Sequence, residues 1–547
     1  MMNKNEFVIG TCENYTHDGQ GVVKIDGYPI FVKGIIRGEK AKIQIMKDKK
    51  TYAYGRVAEL LEVSAHRIEP KCPVYGKCGG CQLQHMDREA QQDFKREKVQ
   101  DVVTRIAKLP IRVNSVLDMK VPFAYRNKGQ IPVDVKHGSV KTGFYRIHSN
   151  DIVDIEQCLI QSEVINEILQ VIKKDLKVYK NGKDLRHLLI KHAFSTGEAM
   201  VVFISRNRDI PHLDEMIAHI QTVYPKLKTV IVNLNQRTDN VILGNREYIV
   251  YGDGYIVDEL QGLKFYISSK SFYQINPVQT VKLYQQVLAY AGLTGQEKVL
   301  DLYCGVGTIS LFLAGQAKLV TGIEIVPEAI DDALRNAGLN NIDNVNFVCS
   351  DAASYAKELV KKQQQPDVIV VDPPRKGCDE ITLKAMIKME PQKIVYVSCD
   401  PATLARDLKV LCENGYEVQA IQPVDMFPQT YHVETCVLLS HKSPDSIINV
   451  KVEFGEGEGK VPLDKIAERA KEYQPKPRIT YKMIQEYIEK KYGFKVHTAY
   501  IAEVKRSLGL TMYDAPNAVE ELKHPRKYPP EEKVEAIKDA LKYFEVI

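Results

Sequence analysis

No apolar run in the 547 residues approaches the roughly 18 that a membrane-spanning helix needs, so the sequence predicts no bilayer segment. The opening, MMNKNEFVIG, is too polar for a secretory signal and its apolar part is too short. Charge of one sign is scarce as well. Lys and Arg total 75 against 70 Asp and Glu, a net of +5, which neither demands nor excludes nucleic acid. Any argument for an RNA partner therefore has to be local. There is no internal repeat and no low-complexity tract. What is present is a chain with 44% hydrophobic residues, enough for a large core, and a length that allows about three or four domains. We read it as cytoplasmic, so its 11 cysteines are expected to be reduced thiols, metal ligands or nucleophiles rather than disulfides.

Residues 6–63 read as short strands punctuated by Asp18, Gly19, Gly27, Gly34 and Gly38, the pattern of a small OB-like barrel. Lys33, Arg37, Lys40, Lys42, Lys47, Lys49, Lys50 and Arg56 are interleaved there with Tyr28, Phe31, Tyr52 and Tyr54. Such a face can hold an RNA strand by phosphate contacts and stacking, or simply be solvated. A cysteine cluster follows in 65–90. Residues 91–109 have the pattern of an amphipathic helix, and 120–260 mix strands with helices. From 296 to 440, strands KVLDLY, KLVTGIEI, VNFVCS, DVIVVD and KIVYVS alternate with helical segments. That predicts a parallel, doubly wound sheet with ligands at the strand carboxyl ends. The expected domains are 1–64, a β-barrel; 65–260, a central α/β domain, with a helix in 91–115 packing on the catalytic domain; 261–442, a Rossmann-like domain; and 443–547, a small, mainly helical C-terminal module. In that module, helical patterns at 481–491 and 531–543, with a possible helix-turn-helix pair using 497–510, fit either a domain that packs on the rest or one that adds RNA affinity.

The stretch KVLDLYCGVGTISLFLA is strand, glycine turn, helix. Gly305 and Gly307 let backbone approach a ligand, and the helix start offers free N–H groups. The Lys or third glycine of a phosphate-binding loop is missing, and Asp301 places negative charge nearby, which favours a ligand with a cationic or neutral centre over a pyrophosphate. The next strands end in Glu324, suited to ribose hydroxyls, Asp351, suited to an adenine amino group, and Asp372. One such acid is usually a helix cap; four in succession are not. The series Asp301-Leu302-Tyr303-Cys304-Gly305-Val306-Gly307 followed by Glu324 resembles the cofactor signature of class I S-adenosylmethionine methyltransferases.

Asp372-Pro373-Pro374 continues into Arg375-Lys376-Gly377, and the following strand, IVYVS, delivers Cys399 at its mouth. Cys399 suits methylation at carbon. Pyrimidine C5 is too poor a nucleophile unaided; a thiolate adding to C6 makes it enolate-like, and a base must then remove the C5 proton. The base candidate is Glu434 in HVETC, with His432 two residues before it as a possible alternative. SFYQINP, DLYCGVG, DPPRKG, SCDPATLARDL and HVETC together resemble the RNA uracil-C5 methyltransferase family that includes the 23S rRNA 5-methyluridine enzymes, over about residues 1–442. The resemblance implies Cys399 as nucleophile, Glu434 as base, and cofactor contacts at Gln274, Tyr303, Glu324 and Asp372, with Thr308 and Asp351 as further candidates.

Cys72, Cys78 and Cys81 are spaced C-x5-C-x2-C, and Cys158 can supply a fourth thiolate. A redox pair, structural zinc and an iron–sulfur cluster all fit that spacing. The resemblance implies a [4Fe–4S] cluster on these four positions, structural or RNA-docking, and a TRAM barrel matching 6–63, both features of the rRNA branch. It therefore implies 23S rRNA as the partner of an enzyme expected to be monomeric. The competing readings are tRNA as substrate, a cytosine-C5 RNA methyltransferase, which would carry two motif cysteines, and a non-catalytic RNA-binding or redox-sensing protein. Cys12, Cys304, Cys349, Cys378, Cys412 and Cys436 are read as packing or incidental residues.

Overall fold

A computed structural model describes residues 2–136, 139–180, 182–442, 481–508 and 529–544. The chain divides into two compact units, Met1–Lys442 and Ser443–Ile547.

The first unit begins with five strands, β1 (Phe7–Tyr15), β2 (Gly21–Ile25), β3 (Tyr28–Lys33), β4 (Lys40–Asp48) and β5 (Ala53–Glu62), which close into a barrel in the order β1-β2-β3-β5-β4. Alternation puts Val23, Ile30, Val32, Ile43, Ile45 and Ala53 inside. The barrel is so narrow that a Cβ on Gly55 would lie 2.4 Å from Ile43. Outside, Phe31, Tyr52 and Tyr54 form one aromatic cluster, with centroids 5.2–6.0 Å apart. Lys33 pairs with Arg56 two residues further along the same strands. Lys33 and Arg56 thus share a barrel face with Phe31 and Tyr54, whereas Arg37 turns to Glu97 and Lys42 lies over Phe7.

Helix α1 (Arg88–Val102) starts where the Asp87 side chain accepts the Ala90 N–H. It runs on as a π-turn over Val103–Ala107 and stops at Lys108, in left-handed backbone two residues before Pro110. The helix therefore begins three residues earlier than the sequence pattern implied, because the aspartate cap lies outside the apolar periodicity. Val99, Val103 and Ala107 pack into the core of the catalytic sheet. The barrel rests on the same helix through the Tyr15–Phe94 ring contact and the Arg37–Glu97 ion pair of 2.7 Å.

The central part is a seven-stranded sheet: β6 (Lys128–Lys136), β7 (Ser139–Tyr145), β8 (Ile152–Asp154), β9 (Leu185–His192), β10 (Ala199–Ser205), β11 (Leu227–Leu234) and β12 (Arg246–Gly252), in the order β12-β11-β10-β9-β6-β7-β8. Helices α2 (Glu163–Tyr179) and α3 (Leu213–Val223) cover it through Ile168, Ile172, Met216 and Ile220. A hairpin, β13 (Tyr255–Leu260) with β14 (Leu263–Ser268), joins it to the catalytic core.

The catalytic sheet holds β15 (Lys298–Leu302), β16 (Leu319–Glu324), β17 (Val345–Cys349), β18 (Val368–Val371), β19 (Lys393–Ser398), β20 (Tyr416–Val424) and β21 (Glu434–His441), ordered β17-β16-β15-β18-β19-β21-β20. The first five are parallel; β21 runs antiparallel between β19 and β20. Order reverses between β15 and β18, the switch point at which doubly wound sheets bind ligands. Because β21 is antiparallel, its first residue lies at the edge where β19 ends.

The second unit is described at residues 481–508 and 529–544, where helices Tyr481–Tyr492, Thr498–Ser507 and Glu531–Tyr543 enclose Ile484, Ile488, Ile501, Val504, Ile537 and Leu541. On the second of these helices Lys505 is half-buried over the Tyr481 ring, and Arg506 is exposed and pairs with Glu503. The readings that fell on 443–480 and 509–528 lie outside the described residues. Among the described residues, no helix is long and apolar enough to cross a membrane.

Candidate active site

Cys399 is the first residue past β19. Behind it, the Asp400 side chain accepts the N–H groups of Ala402 and Thr403 at 2.9 and 3.2 Å, starting the helix Pro401–Glu413, and Ser398 Oγ accepts the Asp400 N–H. The turn holding the thiol is thus pinned on both sides. Glu434 opens β21, whose register sets Thr435 opposite Ser398. The two sequence candidates are brought to one edge from adjacent strands.

The thiol is half-buried, not exposed as its position in sequence implied. Burial pushes it up to about 12, and Glu434 and Asp372 push in the same direction, while Arg375 opposes them. The low thiol pKa that C6 addition requires is therefore not a property of the ligand-free arrangement. Two acids crowd the sulfur, which one strand's sequence could not reveal. Glu434 is 4% exposed; burial, then the Asp372 charge, raises it to about 8, with Arg375 again opposing. Asp372 itself is raised to about 6 by burial. His432 is pushed down to about 4 by burial, then by Arg375 and nearby lysines, and its ring lies against Tyr431 and Phe427. It is neutral at pH 7 and a poor proton acceptor, which leaves Glu434 as the stronger base.

On the other side of β18, the β15 turn carries Tyr303, Gly305 and Gly307 at positive φ. A Cβ on Gly307 would meet Phe347 at 2.7 Å, so this glycine lets the helix pack. At Gly305 it would meet nothing within 4 Å, and that open face is free for a ligand. Glu324 accepts N–H groups from Gly305, Ile325 and Val326 at 3.2, 2.8 and 3.0 Å, which fixes its carboxylate beside the turn. Thr308 begins α5 (Thr308–Ala314), after α4 (Pro277–Ala291), and its Oγ1 lies 2.9 Å from Tyr284 Oη. Asp301 is buried. Ser310 Oγ donates to one of its oxygens at 2.5 Å and the other has no partner among the described residues. Burial raises it to about 7. Gln274 is buried on a loop whose carbonyl accepts the Asn127 amide at 2.9 Å. Asp351 caps α7 (Ala352–Lys361), which follows α6 (Pro327–Leu339), accepting the Ser354 N–H and hydroxyl, both at 3.0 Å. Its carboxylate is thus engaged in the helix cap.

A cleft of about 610 Å³ opens over Cys399. Arg375, Tyr431, His432 and Lys98 line one wall, and Tyr15, Thr16 and His17 of the barrel line the other. Lys98 donates to the Tyr431 carbonyl at 2.9 Å, and burial lowers it to about 8. The sequence had not assigned Lys98 or the Tyr15 turn to this site. The only local hint was lysine at 95 and 98 on the face of α1 that also carries Phe94 and Val99.

Cys72, Cys78, Cys81 and Cys158 line a separate cavity of about 250 Å³. Cys81 is raised to about 12 by burial and by its proximity to the other three. Among the described residues, no three His, Cys, Asp or Glu side chains converge on the point of a single metal ion. Of the remaining thiols, Cys12, Cys304, Cys378 and Cys436 are buried, Cys412 is half-buried and Cys349 is exposed.

The family described as tRNA (Uracil-5-)-methyltransferase matches residues 89–442, and the TRAM domain matches 11–58, on the barrel. A protein of Bacillus cereus described as an uncharacterized RNA methyltransferase is 48% identical over 448 residues, covering 80% of this chain and 97% of its own. One of Clostridium acetobutylicum with the same description is 46% identical over 438 residues, covering 78% and 95%. Among solved structures, the Pyrococcus abyssi tRNA (uracil-54, C5)-methyltransferase in complex with S-adenosyl-L-homocysteine superposes with a TM-score of 0.64 at 26% identity, covering 79% of this chain and 99% of that one. A glycine turn with an open face beside a fixed carboxylate, a doubly wound sheet with an inserted antiparallel strand, and a TRAM barrel facing the same cleft agree with that match, and the chain belongs to the RNA (uracil-5-)-methyltransferase family.

Proposed function

We propose that the chain methylates C5 of uridine in 23S rRNA through a covalent adduct of Cys399 with uracil C6. The observation that carries the chemistry is the meeting of Cys399 and Glu434 at one sheet edge, from β19 and its antiparallel neighbour, beside Asp372. Bound S-adenosylmethionine supplies a methyl group made electrophilic by its sulfonium. Gln274, Tyr303, Glu324 and Asp372 would hold it, with Thr308 and Asp351 at the margin. The open face of Gly305 and the unpartnered oxygen of Asp301 fit a ligand at this turn. Cys399 Sγ, once deprotonated, bonds to C6, and the C5=C6 electron pair moves onto C5 and O4. C5 takes the methyl group, and the electron pair of the broken S–CH3 bond stays on sulfur as S-adenosylhomocysteine departs. Glu434 removes the C5 proton, the double bond reforms and the S–C6 bond breaks, returning the thiolate. Arg375 is the charge that favours both the thiolate and the carboxylate. The 610 Å³ cleft has room for a base swung out of its stack, with the barrel available to the flanking nucleotides.

The four thiols would hold a [4Fe–4S] cluster. All four line one cavity of about 250 Å³, which has room for such a group. Such a cluster supplies a rigid cross-link here, since sulfonium methyl transfer needs no electron. Replacing Cys78 or Cys81 by Ser is expected to bleach an iron–sulfur absorption band and to weaken RNA binding or folding more than the chemistry of bound substrate. Stoichiometric zinc without iron in anaerobically purified protein would overturn the cluster.

A tRNA substrate is the second reading, favoured by the likeness to the Pyrococcus abyssi tRNA (uracil-54, C5)-methyltransferase. Tritium release from C5-labelled 23S rRNA and tRNA transcripts, run side by side, separates the two. Release from 23S rRNA alone is the expected result; release from tRNA alone would move the assignment. Either RNA fits a cytoplasmic enzyme, with a monomer as the favoured state. A chain ending near Ser443 is expected to keep S-adenosylmethionine binding and to methylate a short RNA hairpin, because every proposed donor, nucleophile and base residue lies in the first unit. A folded truncation that binds the cofactor poorly would show that the C-terminal residues serve the active site.

A further inference from the structure

The loop from Asp425 to Val433 leads directly into Glu434. It is held at almost every turn by residues from the other end of the chain. Lys95 Nζ donates to the Asp425 carboxylate and, at 3.0 Å, to the Phe427 carbonyl. Tyr125 Oη donates to the Pro428 carbonyl at 3.0 Å. Gln429 has a left-handed backbone, φ +70°, a strained state for a residue with a Cβ that its surroundings must hold. Those surroundings are explicit. The Gln91 amide pairs reciprocally with it, accepting its N–H and donating to its side-chain oxygen, both at 3.1 Å. The N–H groups of Gln82 and Leu83 both donate to its carbonyl at 3.0 Å.

Gln91 and Lys95 are four residues apart on α1 and therefore share a face. Lys95 is fully buried, Tyr125 is 1% exposed and Gln91 5%. A buried ion pair is a poor way to stabilise a fold, since packed apolar residues commonly do as well. What polar groups supply here, and apolar ones would not, is a set of directional bonds to particular carbonyls of one loop.

We propose that Gln91, Lys95 and Tyr125 form a splint that fixes the 425–433 loop and so sets Glu434 against the C5 proton; they are positioning residues for product release. The inference rests on the assignment of Glu434 as the base and extends it. It assigns Gln91, Lys95 and Tyr125, none of which lines the cleft over Cys399, to one half of the reaction. Adduct formation depends on Cys399, at the mouth of a different strand, and should not feel the splint. The splint is continuous with the four-thiol site, because Gln82 and Leu83 directly follow Cys81, and Tyr125 packs with Cys81 and Cys158.

The test uses the full chain with two near-isosteric variants, Tyr125→Phe and Gln91→Met. The RNA is one that the wild type methylates, made once with tritium at C5 and once with 5-fluorouridine, from which no proton can be removed. Adduct formation is timed on the fluorinated RNA, and tritium release and the gel-stable adduct fraction are measured on the labelled one. Both variants should form the adduct at the wild-type rate yet release product about ten- to a hundredfold more slowly, the cost of a displaced catalytic group, with adduct accumulating. Wild-type release in both variants overturns the splint. So does a loss that slows formation and release by the same factor, which marks general damage. Glu434→Gln is run alongside. If it traps adduct while the two variants do not, the splint alone fails; if it releases product freely, the base assignment fails and the splint with it.

Discussion

Cys399→Ala is expected to lower methylation by more than about a thousandfold, as loss of a covalent nucleophile does, while S-adenosylhomocysteine affinity changes little. In the proposed mechanism the thiol acts on the base and not on the methyl donor. Burial, Glu434 and Asp372 raise the thiol to about 12, so it is neutral at pH 7 and the substitution leaves no charge unpaired in the site. Thermal unfolding beside the wild type checks that the variant is folded. Turnover and S-adenosylhomocysteine binding are measured together. Residual turnover near wild type would remove Cys399 as nucleophile, and a parallel loss of both would mean that the thiol supports the cofactor turn.

Glu434→Gln should form the RNA adduct and fail to resolve it, because only elimination needs a proton acceptor. A protein–RNA species stable on a denaturing gel is expected, with product release at least about a hundredfold slower. The same substitution reports on stability. In the folded chain Glu434 titrates near 8, above its ordinary value near 4.5. Between those values the folded chain keeps a proton that the unfolded chain has lost. The stability this group contributes is thus fully present below about pH 4.5 and is lost as the pH rises through about 8. Gln has no proton to lose. The variant should therefore match the wild type at pH 5 and exceed it at pH 9 by on the order of 2–4 kcal/mol. Thermal unfolding of the ligand-free proteins at the two pH values measures this, and a constant difference would show that Glu434 is not an ionisable group buried in the fold. In the same way, turnover limited by proton removal should rise through about pH 8.

Much of the architecture was legible without coordinates. Strand–helix alternation over 296–440 implied the doubly wound sheet, and short strands separated by Gly and Asp implied the N-terminal barrel. Both signals are local: side-chain period and turn chemistry act within ten residues or so. Gly305 and Gly307 could be recognised as a ligand-side turn for the same reason. Their division of labour, one packing against Phe347 and one left open, could not be, because Phe347 lies on another strand.

What only the tertiary structure decided is electrostatic and long-range. The sequence called for a reactive thiol at 399, but its pKa depends on acids at 372 and 434, which β18 and β21 bring to the same edge. Asp351 and Asp372 look alike at strand ends, yet one caps a helix and the other lies beside Cys399, a difference set by which strands flank each of them. Lys95 and Asp425 are 330 positions apart. No local pattern can pair them: helical periodicity says which residues of α1 face inward, and only the packing of that helix on the sheet says which charge meets the lysine there.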